Sequence, residues 1–273
     1  MAVIHSSEYQ KTVEFHPPIE TGKDIYYGVE LEVELASAMD EDVDTEDIVD
    51  ACSDPERSEC YPFAELICTA EDVCGDDFFY CKTDGSLKCG LEICSEPATL
   101  EYHMTKWDAV CAKLSMGGFI SDTRTCGMHV HVDRRSLHQM DLIKLALIVY
   151  AKQYKWFFEA IGQRKWNEFC GGAVPEKKKV DDWGSLKTRY VALNFRPQLT
   201  IEFRFFQGTL FPDSIKARIE FIELLIKFCK STNICKIVSD NALSIFRSYL
   251  EKNASKNLIT YVENCLKVVN YVD

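Results

Sequence analysis

Long apolar runs, internal repeats and an excess of positive charge are all missing from this sequence of 273 residues. Its most apolar long stretch, Leu142 to Phe158, is interrupted by Lys144, Lys152 and Lys155. It therefore reads as core helix and not as a membrane span, which needs about 20 mostly apolar residues. Lys and Arg number 31 against 43 Asp and Glu, a net charge of -12. That balance argues against a broad, non-specific grip on nucleic acid and suits a small-molecule or cationic partner. The opening MAVIHSSEYQKTVEF has no basic segment followed by an apolar core, so a signal peptide is not expected. Neither G-x-G-x-x-G nor G-x-S-x-G occurs. Gly85 and Gly90 have the glycine spacing of a P-loop, but Leu91-Glu92 stand where Lys and Ser or Thr are needed.

Cysteine, in contrast, is abundant. There are 13, seven of them between Cys52 and Cys94, and no two form a C-x-x-C pair. A structural zinc site is therefore disfavoured, and the thiols are expected to be reduced in a cytoplasm. The chain is 47% hydrophobic and 12% aromatic, which excludes disorder, collagen and coiled coil as global descriptions. It is read as one domain over 1–273, with a motif core at 24–210 and a helical part at 213–273.

Period-two alternation places strands at 24–36, 78–83, 90–96, 126–133, 189–195 and 199–207. Thr99–Met116 and Ser136–Ile161 read as helices. Pro212-Asp213 opens a further helix running to about Lys230, and two or three more follow. Strands and helices are plentiful without βαβα alternation, so the fold class is α+β, a mainly antiparallel sheet with one polar concave face and helices on the other.

Four strands carry unusual polar faces, since residues two apart share a side. These are Glu30, Glu32 and Glu34; Glu92, Cys94 and Glu96; His129, His131 and Asp133; and Thr200, Glu202 and Arg204. A single such face commonly looks into water. Together, clustered carboxylates must protonate or bind cations, and oxygen-rich sets suit Mg²⁺ or Mn²⁺ better than Zn²⁺. Mg²⁺ bound this way keeps positions open for phosphate oxygens, so a metal–nucleotide site is expected.

The series Gly28-Val29-Glu30-Leu31-Glu32, Asp84-Gly85-Ser86 with Glu92 and Ser95, Cys126-Gly127-Met128-His129-Val130-His131, and Arg189 with Asn194 through Glu202-Phe203-Arg204 resembles the amidoligase family. That family belongs to the carboxylate–amine ligase group with glutamine synthetase and glutamate–cysteine ligase. The resemblance implies a glutamine synthetase-like catalytic domain using ATP and Mg²⁺, with Mn²⁺ as a substitute. It implies Glu30, Glu32, Asp84, Glu92, His129 and Glu202 as metal ligands, and His131 as a nucleotide-phosphate contact. Arg204 would serve the transferring phosphoryl, with Arg189, Asn194 and Ser95 as further phosphate or substrate contacts. It also implies an acyl phosphate formed from a carboxylate substrate and resolved by an amine. The segments that bind glutamate and ammonia in glutamine synthetase are absent, so glutamine synthesis is not implied.

Alternatives from other classes are a phosphotransferase of the same architecture, a metal-dependent hydrolase centred on His129 and His131, and a catalytically degenerate binding protein. Cys126 is read as a buried, inert thiol. The Lys177–Lys179 run, within a loop at 162–188, is either a cover over the site or ordinary surface. Glu34, Glu96 and Asp133 each extend a motif strand and stay open between function and solvation. No membrane or nucleic-acid partner is expected; the oligomeric state and the identities of acid and amine are left open.

Overall fold

A computed structural model of the chain describes residues 4–19, 24–41, 43–75, 77–166, 170 and 189–269. The strands are β1 (Ile4–His5), β2 (Tyr27–Leu35), β3 (Phe79–Lys82), β4 (Gly90–Ser95), β5 (Phe119–Ile120), β6 (Gly127–Asp133), β7 (Leu193–Asn194) and β8 (Thr200–Gln207). Their pairings are mostly antiparallel, with β1 and β3 parallel. The chain divides into two compact units. One holds 1–20, 28–128 and 207–212, and the other 21–27, 129–206 and 213–273.

In the first unit the strands run in the order β1-β3-β4-β2, and β5 also pairs with β2. The register puts Glu30 opposite Cys94 and Glu32 opposite Glu92, and Lys82 opposite Glu92 on β4's other side. Because side chains alternate, Lys82, Glu92, Cys94, Glu30 and Glu32 form a polar row, and Val29, Leu31, Val33, Leu91, Ile93, Phe79 and Cys81 face the other way. Those seven are essentially solvent-free, and burying each large apolar side chain contributes about 1.5–3 kcal/mol. Helices cover this face. Phe79 meets Trp107 edge-on, with ring centroids 5.0 Å apart, in the helix Trp107–Met116. Cys81 Sγ lies 3.6 Å from Cys74 Sγ, at the end of the helix Phe63–Cys74. Gly90 has a steric reason: a Cβ there would run into the Val33 carbonyl oxygen.

In the second unit the order is β6-β8-β7. Ile201, Phe203 and Phe205 are buried. Phe205 packs on Phe158 at 5.7 Å, and Phe158 leads through Phe221 and Phe246 to helices Pro212–Ser231 and Ala242–Asn253. Arg218 is fully buried on the first of these helices. Its Nε donates to the Tyr261 hydroxyl at 2.8 Å and an NH2 group to Gln163 Oε1 at 2.7 Å.

The expected strands are present with shorter ends, β7 most of all. Two expected helices are broken. Thr99–Met116 divides into Leu100–His103 and Trp107–Met116. Ser136–Ile161 divides into Gln139–Val149 and Lys155–Gly162. The second break falls at Tyr150, whose hydroxyl takes the Leu193 N–H and donates to the Leu193 carbonyl, both at 3.0 Å. That tertiary anchor on β7 fixes the residue where the helix stops. The helix Phe63–Cys74 was not anticipated. No described helix is long and apolar enough to cross a membrane. The Lys177–Lys179 run and the rest of 171–188 lie outside the described residues.

Candidate active site

The first unit contributes the acid row. Glu92 is buried, with Lys82 on one flank, Nζ to Oε2 3.2 Å, and Glu32 on the other. Like charges directly opposite on antiparallel strands are destabilising, and the effect registers on Glu92. Burial first, then Glu30, raise its carboxyl to about 8; Lys82 opposes the rise, and Asp84 and Glu32 add to it. Cys94 donates toward Glu92 Oε2 at 3.7 Å, and burial followed by the charges of Glu92 and Glu30 pushes its thiol well up.

Glu30, Glu92 and Cys94 each offer a ligand atom, all within 4.8 Å of one another. Crowded carboxylates beside a thiol that stays protonated fit a hard divalent cation such as Mg²⁺ or Mn²⁺ better than thiophilic Zn²⁺. A cation there would offset the repulsion that Glu30 and Glu32 exert on Glu92.

The other acids on the same faces have different neighbours. Glu32 accepts the Gly127 N–H. Glu34 is solvent-free and takes the Thr125 hydroxyl at 2.9–3.0 Å, the Lys88 N–H at 3.2 Å and the Cys126 thiol at 3.7 Å. Glu96, also solvent-free, pairs with Lys11 at 2.5 Å and accepts the Glu14 N–H. Both are buried structural carboxylates, neither solvated nor poised for a ligand. Burial pushes the Cys126 thiol well up despite the Thr123 hydroxyl, in keeping with an inert role. Asp84 accepts the Ser86 N–H at 2.7 Å and so closes the turn before β4. The Ser95 hydroxyl accepts the Val29 N–H at 2.9 Å and ties β4 to β2.

The second unit contributes a different set, built on β6, β7 and β8. Glu202 is buried and ion-paired with Arg204, and the Asn194 side-chain amide donates to its Oε2 at 2.7 Å. His129 Nδ1 lies 3.5 Å from Glu202 Oε1 and 3.3 Å from Arg204 NH1. His131 Nε2 stands 3.9 Å from the same carboxylate, and its Nδ1 is 3.2 Å from the Thr200 hydroxyl. Arg204 is buried, yet its Nε–H has no hydrogen-bond partner among the described residues. An unpaired buried donor costs about 1–3 kcal/mol, a deficit that a bound anion would remove. Arg189 is exposed, its guanidinium over the Tyr190 ring at 5.4 Å. Asp133 is engaged by Arg135 through two nitrogens.

The structure thus gathers Glu30, Glu32 and Glu92 in the first unit, and His129, His131, Asn194, Glu202 and Arg204 in the second. Lys82 was missed; its only sequence signal was a lysine ending a strand, ten positions before Glu92.

An α+β chain with an acid row in one unit and a His–Glu–Arg set in the other has the parts of a metal- and anion-handling enzyme. A family model described as "Putative amidoligase enzyme" matches residues 26–188, and the chain belongs to that family. Among solved structures, one titled "Crystal structure of novel glutamine synthase homolog" aligns over 90% of this chain and 67% of its own, with a TM-score of 0.47 and 11% identity. No curated protein sequence matches the chain significantly.

Proposed function

We propose that the chain is an ATP-dependent carboxylate–amine ligase that forms an amide through an acyl phosphate. Family membership over 26–188 supports the ligase class. The observation that carries the finer reading is Arg204, a buried guanidinium anchored by Glu202 that keeps one N–H unpaired. Such a group is a fixed donor for a phosphoryl oxygen, and preorganised donors of this kind stabilise charge that develops during transfer.

In this reading Glu30 and Glu92, with Glu32 beside them, hold Mg²⁺, which when bound neutralises phosphate charge. The resemblance also implies a metal-ligand role for His129 and Glu202 on β6 and β8. Glu202 also fixes the Arg204 guanidinium, and Asn194 fixes Glu202 through its amide. His131 meets a nucleotide phosphate, Arg189 assists from an exposed position, and Asp84 from a half-buried one. The carboxylate substrate attacks the γ-phosphorus of ATP, the bond to the β–γ bridging oxygen breaks, and ADP leaves. The amine then attacks the acyl carbon, phosphate departs and a proton is released.

Calorimetric titration of Mg²⁺ with a non-hydrolysable ATP analogue tests this reading, using wild type and Glu202→Gln. Binding that requires the metal and weakens at least tenfold in the variant is expected. ADP release should then depend on both an acid and an amine. Stoichiometric zinc without nucleotide binding would overturn the ligase.

A further inference from the structure

The acid row has a counter-ion of its own. Lys82 ends β3 directly across from Glu92, and its ammonium sits 3.2 Å from Glu92 Oε2 with both side chains largely buried, at 14% and 8% exposure. Glu34 lies on the same strand face but is already satisfied by Thr125 and Lys88. Lys82 thus holds the same carboxylate that, with Glu30 and Cys94, could offer a ligand atom to a metal ion.

We propose that Lys82 is a positioning residue for the metal, an internal cation that holds Glu92 in place and sets how tightly the acid row takes a divalent ion. This inference rests on the metal-dependent reading above and adds a residue that the sequence motifs do not contain. Lys82 and a metal compete for the same carboxylate, so the bound ion must share Glu92 with the ammonium or displace it. Removing the ammonium raises the attraction for any cation. A proton gains too, but it carries one charge against the metal's two, so the net change favours the metal.

The test is calorimetric titration of Mn²⁺ alone into wild type, Lys82→Met and Lys82→Arg at pH 8. Lys82→Gln serves as a second neutral variant should the methionine variant fail to fold. Tightening of about tenfold or more is expected in the neutral variant, with Lys82→Arg staying near wild type. Metal binding in wild type with unchanged or weaker binding in the neutral variants would overturn the role of Lys82 and leave the ligase reading standing. Weaker ATP-analogue binding in those variants without tighter Mn²⁺ would also overturn it, placing Lys82 on a phosphate instead. Absence of Mn²⁺ binding in every variant, wild type included, would overturn the metal-dependent reading and this inference with it.

Discussion

The acid row of the first unit and the His–Glu–Arg set of the second answer the same problem, a buried carboxylate on a strand, in opposite ways. Glu202 has its charge matched at once, by Arg204 on one oxygen and Asn194 on the other. Glu92 has Lys82 on one side and other acids around it, and it holds its proton up to about 8, chiefly because it is buried. The first arrangement is complete as a carboxylate and leaves a spare donor on its arginine. In the proposed reading a cation completes the second. Both carboxylates are buried; what differs is the charge beside them, an arginine for Glu202 and one lysine among other acids for Glu92.

The contrast breaks most severely at Arg204. Replacing it with Lys keeps one charge but loses the planar fork that bridges Glu202 and an anion. We expect kcat to fall by about 10²–10³-fold, with Mn²⁺ affinity of the isolated protein changing far less. Steady-state ADP release and Mn²⁺ titration on one preparation check both halves. Comparable losses in the two would show that the arginine works through the metal ligands and not on the phosphoryl group.

Within the first unit, Glu92→Gln and Glu34→Gln sharpen the comparison because both acids lie on the same polar face. Glu92→Gln removes a ligand and a repelling charge. Mn²⁺ affinity should drop about 10²-fold, while the metal-free protein melts no lower than wild type at pH 8. Glu34→Gln replaces an acceptor-only group with a half-donor among three donors and should cost about 1–3 kcal/mol, leaving Mn²⁺ affinity within about twofold. Thermal melts with and without Mn²⁺ separate the two, and a metal phenotype at Glu34 would sink its structural assignment.

How much of this was legible from the sequence depends on the range of the interaction. Alternation in Val29–Leu35, Leu91–Ile93 and Met128–Val132 exposed the strands and their acid faces, because strand period and burial are local. Which acids are structural was not legible. The partners of Glu34 and Glu96 are Thr125 and Lys11, 91 and 85 residues away in the chain. Tyr150 ends a helix through an anchor on Leu193, so the apolar periodicity running through the break gave no warning of it. Asn194 looked like a phosphate contact by resemblance, and its side-chain amide donates to Glu202. Lys82 was invisible until the register set it across from Glu92.

The smallest effect probes Glu92 by pH. Its carboxyl is raised from the ordinary 4.5 to about 8, by burial first and Glu30 second, with Lys82 opposing. The native state therefore keeps a proton that the unfolded chain has already lost between those two values. Stability conferred by that proton is fully present below the unfolded value and is lost as pH rises through the native one. In EDTA the melting temperature should fall between pH 5 and 8, by about 2–8 °C for roughly 1–2 kcal/mol in a protein of this size. Glu92→Gln should flatten the fall. A saturating divalent cation should cancel it, because metal and proton compete for one carboxylate and the metal's advantage grows as the proton leaves. A fall that persists unchanged in Glu92→Gln would assign the titration to another group and remove the electrostatic difference between the two regions.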